Sequence, residues 1–299
     1  WSPDCIVADS MALWGKLIAK KLEIPFVSST TTFAFNQQSS KVMRGSLKDL
    51  FKVILQMGKA KKYLKRLQKR GYPIKSVLDI IQNDNDTHTI VYTSPEFQPC
   101  AETFSARYVF VGPSIRPATC EIEKTREKLI YISMGTVNND MLPFYKNCIE
   151  SLKDTDYQVI ISVGGQVDSG ELAALIGDYG IQADILIVPF VDQIAVLEKA
   201  NVFLSHCGMN SVSEALYYEV PLVMFPQTNE QKGVAFRVNE LGAGVYLKDE
   251  SKEAIKEAFD NVLNQTEYKK QAGKISEDFK KCGGCQVAVE KILAVTQEK

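Results

Sequence analysis

Residues 189–231 read PFVDQIAVLEKANVFLSHCGMNSVSEALYYEVPLVMFPQTNEQ, and here a short apolar run, a polar glycine turn and a helix start follow one another without a gap. Asn201–Ser205 (NVFLS) suits a strand buried on both faces. His206, Cys207, Gly208, Met209, Asn210 and Ser211 then turn the chain, and the spacing predicts a helix from there, with Ser211 three residues before Glu214 as in a capping box. The free N–H groups of such a start, with the helix dipole behind them, attract an anion, and a phosphate is the natural guest. A second strand, Pro221–Phe225, ends in the polar run Pro226-Gln227-Thr228-Asn229-Glu230-Gln231, at the carboxyl edge where ligands of open α/β sheets bind.

Working outward, strand and helix patterns alternate with short gaps. Strands are expected at Leu129–Ser133, Gln158–Val163 and Ile185–Val188, and helices at Leu142–Leu152 and near Glu171–Ile176. Such alternation implies a parallel sheet. Ser133-Met134-Gly135-Thr136 stands after the first of these strands in place of Gly-x-Gly-x-x-Gly, which disfavours a nicotinamide oxidoreductase. The first half shows strands at Cys5–Ala8 and Pro25–Ser29, strands near Thr89–Tyr92 and at Tyr108–Val111, and a helix at Met11–Leu22. Gly112-Pro113 followed by the polar stretch Arg116–Lys128 reads as an interdomain linker, which divides the chain into 1–119 and 120–299. Residues from Lys252 to Lys299 read as helical throughout.

Composition narrows the function classes. A chain of 299 residues with 45% hydrophobic content can bury a sizeable core and suggests two domains. A net charge of −1 gives no case for a nucleic-acid partner, although residues 1–115 hold 16 Lys/Arg against 9 Asp/Glu and the remainder 19 against 27. Lys59–Arg70 is basic and helical in pattern, and reads as a solvated face with snorkelling lysines before it reads as a membrane surface. The seven cysteines lack framework spacing, and no secretory segment or apolar run of membrane-spanning length is present, which points to the cytoplasm. Cys282-Gly-Gly-Cys285 has no second Cys/His pair beside it, so packing thiols are expected there and no metal site.

The ordered series Gln193, His206-Cys207-Gly208-x-Asn210-Ser211-x-x-Glu214-Ala215, Val220-Pro221, Pro226 and Glu230-Gln231 resembles the UDP-glycosyltransferases, most closely the bacterial macrolide-type branch. The family usually has Pro where this chain has Asp192, and Gly where it has Glu219. The resemblance implies an α/β architecture of two Rossmann-like domains (GT-B), here with the amino-terminal one incomplete. The chain opens on Trp1 with a buried-strand pattern already under way, so it reads as an amino-terminally truncated fragment.

Transfer of a sugar from a nucleoside diphosphate needs a base for the nucleophile and a cradle for the charge developing on the leaving diphosphate. His206 at a strand end, with the amides of Asn210 and Ser211, fits the cradle; a histidine satisfied within the core is the plainer alternative. By resemblance, Ser133, Gly135 and Thr136 form a phosphate-side loop with Gly208 opposite. By the same resemblance Gln193 lies beside the uracil, Glu214 holds the ribose, and Glu230 with Gln231 holds the sugar hydroxyls. A cap role for Glu214 and plain surface polarity for Glu230 and Gln231 are the alternatives. The family's base is a histidine near the true amino terminus, oriented by an Asp that matches Asp9, which could instead cap the following helix. The only other histidine, His88, is placed in the loop Asn85–His88, whose context does not match that base.

The sequence therefore reads as an inverting, metal-independent hexosyltransferase, lacking its base histidine, that moves a hexose, most simply glucose, from a UDP-sugar to a small lipophilic acceptor. The acceptor pocket is expected along Thr30–Met57, where Phe33, Phe35, Met43, Phe51 and Met57 suggest an apolar cleft or a core. A UDP-sugar epimerase would release an altered free sugar, and a non-catalytic nucleotide-sugar-binding protein would lack the base altogether.

Overall fold

The computed structural model describes residues 3–36, 38–39, 62–74, 86–136, 140–178 and 181–297. Met43, Phe51 and Met57 of the expected acceptor stretch lie outside the described residues, as do the first residues of the basic helix, whose residues 62–69 are helical. The chain forms two compact units, one of Trp1–Ser114 with Asp278–Lys299 and one of Ile115–Glu277.

In the first unit four parallel strands run side by side in chain order: β1 (Ile6–Asp9), β2 (Phe26–Thr30), β3 (His88–Val91) and β4 (Tyr108–Phe110). Helix α1 (Leu13–Leu22) lies close on β1, where a Cβ on Gly15 would fall 2.4 Å from that of Ala8. His88, expected in a loop, is the first residue of β3 and is buried against Arg107. Beside β2 and β3 packs the last helix of the chain, through Ala288 and Val295 against Val27, Ile90 and Val111. The chain passes from the first unit to the second at Ser114/Ile115, inside the expected linker region, and returns to the first at Glu277/Asp278.

The second unit carries six parallel strands: β5 (Lys128–Ser133), β6 (Tyr157–Ser162), β7 (Asp184–Val188), β8 (Val202–Ser205), β9 (Leu222–Met224) and β10 (Gly244–Tyr246). Their order β10-β9-β8-β5-β6-β7 is the doubly wound Rossmann order. The connecting helices are α2 (Leu142–Leu152), α3 (Ser169–Asp178), α4 (Gln193–Leu197), α5 (Met209–Tyr217) and α6 (Asn229–Glu240). The strands read as continuous apolar runs because both faces are covered. Ile130, Ile132, Val159, Ile161, Val202, Leu204 and Val223 meet Phe144 and Ile149 of α2 and Ile255 and Phe259 of the helix Lys252–Asn264 in one core cluster.

The helical tail is three helices, α7 (Lys252–Asn264), α8 (Thr266–Lys281) and α9 (Gly284–Thr296). Gln265 in extended backbone ends the first, and Gly283 and Gly284, both left-handed, end the second and redirect the chain onto the first unit's sheet. Cys282 and Cys285 flank that turn as free thiols, the first bonded to the Asp278 carbonyl and the second beside the Ser114 hydroxyl. Among the described residues no group of His, Cys, Asp or Glu could hold a metal ion, and no helix is long and apolar enough to cross a membrane.

Candidate functional site

Strands β5 and β8 are neighbours whose outgoing connections lead to opposite sides of the sheet, the switch point beyond which the ligand crevice of an open α/β sheet lies. Ser133 and Ser205 end them in register. Past Ser205 the chain turns through Cys207, whose φ of 65° is left-handed and whose amide donates to Ser205 Oγ at 3.1 Å. The Cys207 side chain is wholly buried, and burial pushes its thiol far above the ordinary range, so it is a packing group and no nucleophile.

His206 lies between two glycines, one from each strand end. A Cβ on Gly135 would stand 2.7 Å from His206 Cε1, and one on Gly208 would stand 2.7 Å from Nε2. Gly135 is also left-handed, with φ of 81°, whereas Gly208 has an ordinary φ of −61° and is required for space alone. Burial holds the imidazole below the ordinary histidine range, opposed by the Ser133 carbonyl. Its Nδ1 is buried and makes no hydrogen bond of regular geometry.

Helix α5 begins one turn earlier than the capping-box spacing suggests. Its N-cap is Gly208, which has no side chain to offer, and Ser211 sits inside the first turn. The amides of Met209, Asn210 and Ser211 therefore receive no side-chain cap from the N-cap residue, and they follow directly on His206 in the chain. Freed from capping, Glu214 joins a polar network instead. Gln193 Nε2 donates to Glu214 Oε2 at 2.5 Å and to Ser211 Oγ at 3.3 Å, while Tyr131 donates its hydroxyl to Gln193 Oε1 at 3.2 Å. Burial raises the Glu214 carboxyl above the ordinary glutamate range, against the Gln193 amide and the charge of Arg116.

Asp192, the departure from the family pattern, caps α4 by accepting from the Ile194 amide at 3.1 Å and pairs with Arg116 at 2.6 Å. Phe190, on the same segment, is an aromatic ring that sequence reasoning passed over; it is 65% exposed at the carboxyl side of β7.

The loop after β9 reaches the same edge, since the Phe225 amide donates to the Ser205 carbonyl at 2.9 Å. There the capping box expected at α5 occurs at α6: Gln231 Oε1 accepts from the Thr228 amide at 3.0 Å, and Thr228 Oγ1 accepts from the Gln231 amide at 3.4 Å. Gln231 is thus partly committed to its own helix start, while Glu230 beside it is exposed. Thr136 and Asn210 are exposed at the rim. Asp9 ends β1 in the other unit, exposed, with Oδ1 accepting from the Met11 amide at 2.8 Å; it does not cap α1, whose N-cap is Ala12. His88 lies at the amino end of β3, the opposite sheet edge from Asp9.

A family model described as UDP-glucoronosyl and UDP-glucosyl transferase matches residues 116–281. The UDP-glucosyltransferase YojK of Bacillus subtilis is 36% identical over all of this chain and 74% of its own length. The chain belongs to the UDP-glycosyltransferase family. The NDP-glycosyltransferase YjiC of the same organism is likewise 36% identical, over 98% of this chain and 72% of that protein. Among solved structures, the calicheamicin glycosyltransferase CalG4 superposes with a TM-score of 0.82 at 26% identity, covering 99% of this chain and 74% of that one. The glycosyltransferase of kitacinnamycin shares the fold with a TM-score of 0.84 at 24% identity, covering 98% of this chain and 76% of that one. As a UDP-glycosyltransferase family member of GT-B fold, the chain is a glycosyltransferase, acting on a nucleotide-sugar donor and an acceptor.

Gly208 separates sterics from backbone strain. Gly208→Ala is expected to displace the His206 ring and weaken UDP binding by about tenfold or more while the far-ultraviolet circular dichroism stays unchanged. Calorimetry that found wild-type UDP affinity in this variant would show that the ring position does not matter to binding.

Proposed function

We propose that the chain binds a UDP-sugar across the β5–β8 crevice and transfers its hexose, most simply glucose, with inversion to the hydroxyl of a small lipophilic acceptor. The carrying observation is the His206 ring wedged between Gly135 and Gly208 beside the uncapped start of α5. Three amides at the positive end of a helix dipole and one imidazole, all fixed before the ligand arrives, suit a diphosphate whose charge grows as the bond to the sugar breaks. Ser133, Gly135 and Thr136 close the other side of that cradle.

Glu214 accepts the ribose hydroxyls, and Gln193, held by Tyr131, lies beside the uracil. The exposed Phe190 ring offers the base a stacking face. Glu230 and Gln231 reach the hexose from the first turn of α6. In the family pattern Asp9 orients the base histidine that takes the proton from the acceptor, a residue that neither His88 nor His206 matches. Because the helix start and His206 supply the field that a divalent cation would supply in other transferases, the reaction runs without metal. A lipophilic acceptor suits the aromatic character of the first unit's 33–36 segment, where Phe35 is 50% exposed, although Phe33 belongs to the core against Phe97.

His206→Ala is expected to weaken UDP binding by about tenfold, with or without a chelator, and Glu230→Ala to reduce the advantage of UDP-glucose over UDP while leaving UDP itself nearly unaffected. Equal UDP affinity in the His206 variant and wild type would sink the assignment. Glu214 accepts from two ribose hydroxyls as a carboxylate and loses part of that capacity when protonated, and burial raises its protonation range. UDP-glucose affinity is therefore expected to fall on acidification at a pH above the ordinary glutamate range, and Glu214→Gln to abolish that limb; an identical limb in the variant would place the titration elsewhere.

A further inference from the structure

Helix α4 has five residues, too few to hold its own register through internal hydrogen bonds, yet its first residue is Gln193, the hub of the polar network. What fixes it is the residue before it. The Asp192 carboxylate accepts from Arg116 Nη2 at 2.6 Å and Nη1 at 3.2 Å, from the Thr119 amide at 2.6 Å and hydroxyl at 2.5 Å, and from the Ile194 amide at 3.1 Å. A helix cap needs only the last of these. The others tie residues 116–119 to the start of α4, and they leave the Asp192 side chain 5% exposed although Arg116 is 51% exposed.

We propose that Asp192 is a positioning residue of the donor site, acting through Gln193: it anchors the start of α4 and holds the Arg116 guanidinium away from Glu214. The proposal rests on the donor-site reading above. Gln193 has no freedom to reverse its amide, since Oε1 faces a hydroxyl donor and Nε2 faces a carboxylate, so a small rotation of α4 would cost both bonds at once. Arg116 is close enough for its charge to favour ionised Glu214, while Asp192 opposes that effect. With Asp192 neutralised, Arg116 has Glu214 as its remaining carboxylate partner in this network and would withdraw it from the ribose. The hydrogen bond from Arg116 keeps the Asp192 carboxyl far below the ordinary aspartate range, so the clamp stays ionised while Glu214 titrates. Of the other titratable groups acting with Glu214, Tyr131 is held protonated by burial and the Tyr218 phenol is likewise raised, so neither changes charge in the acid limb.

The test is UDP-glucose binding by the whole chain in wild type, Asp192→Asn, Gln193→Ala and the double variant, each followed from neutral to acid pH. The asparagine side chain would keep the cap to Ile194 but lose the charge that holds Arg116, which is why Asp192→Asn is chosen. Each single change is expected to weaken binding by about tenfold, the double by no more than Gln193→Ala alone, and the acid limb in Asp192→Asn is expected to move to lower pH, because burial still raises Glu214 but the neighbouring negative charge that adds to it is gone. A carboxylate that only capped the helix would move that limb by its charge too, but its loss would multiply with that of Gln193→Ala. Wild-type affinity in Asp192→Asn, or losses that multiply in the double variant, would overturn the proposal. Should the Asp192 variants not fold, Arg116→Gln and Thr119→Val at the exposed side of the clamp replace them; weakened binding in both supports it, and wild-type affinity in both overturns it. If instead Gln193→Ala and His206→Ala both bind UDP-glucose like wild type, the donor-site reading itself has failed, which is a different result from failure at Asp192 alone.

Discussion

The amides of Met209, Asn210 and Ser211 need an acceptor, and the residue at the cap of their helix is a glycine. Most of the second unit is arranged around that condition. The doubly wound order brings β5 and β8 together with diverging exits, so a crevice forms at their carboxyl ends without any cavity having to be carved from the core. Into it the chain puts one large ring, His206, and removes two side chains, at Gly135 and Gly208, to make room. A site assembled from backbone amides and a wedged ring is rigid before ligand arrives, which is where electrostatic catalysis gains over water.

The polar network beside it follows a different logic. Tyr131, Gln193 and Glu214 are largely withdrawn from solvent, and a buried carboxyl is costly unless its hydrogen bonds are met. Gln193 meets one oxygen of Glu214 and leaves the group with acceptor capacity on the crevice side. Tyr131 in turn stacks on Phe203 at 4.6 Å, so the hub of the network is set by the aromatic packing under the sheet as well as by the clamp at Asp192. Neither support touches the crevice, yet both decide where its groups point.

Much of this is legible in the sequence because the strands of a parallel sheet are apolar runs and the connecting helices are long enough to show a period. Leu142–Leu152 falls where periodicity puts it, and each expected strand lies within a residue or two of its place. Elements of three and five residues, β10 and α4, are too short to show any period. The capping box falls at a different helix from the expected one for a related reason. Ser211–Glu214 and Thr228–Gln231 carry the same spacing, and only the glycine at 208, which starts α5 early, separates them. Asp192 reads as a mere departure, since its partners Arg116 and Thr119 stand more than seventy residues earlier and no local pattern links them. The return of α9 to the first unit leaves no mark in the local pattern of those residues.

The central claim is a place for the diphosphate, and its most direct test is a crystal structure of this chain with UDP-glucose bound. The account predicts phosphate oxygens within hydrogen-bond distance of the amides of residues 209–211 and of the His206 ring, with the ribose hydroxyls on Glu214. A diphosphate found at another edge of the sheet, with His206 and the start of α5 untouched, would contradict it.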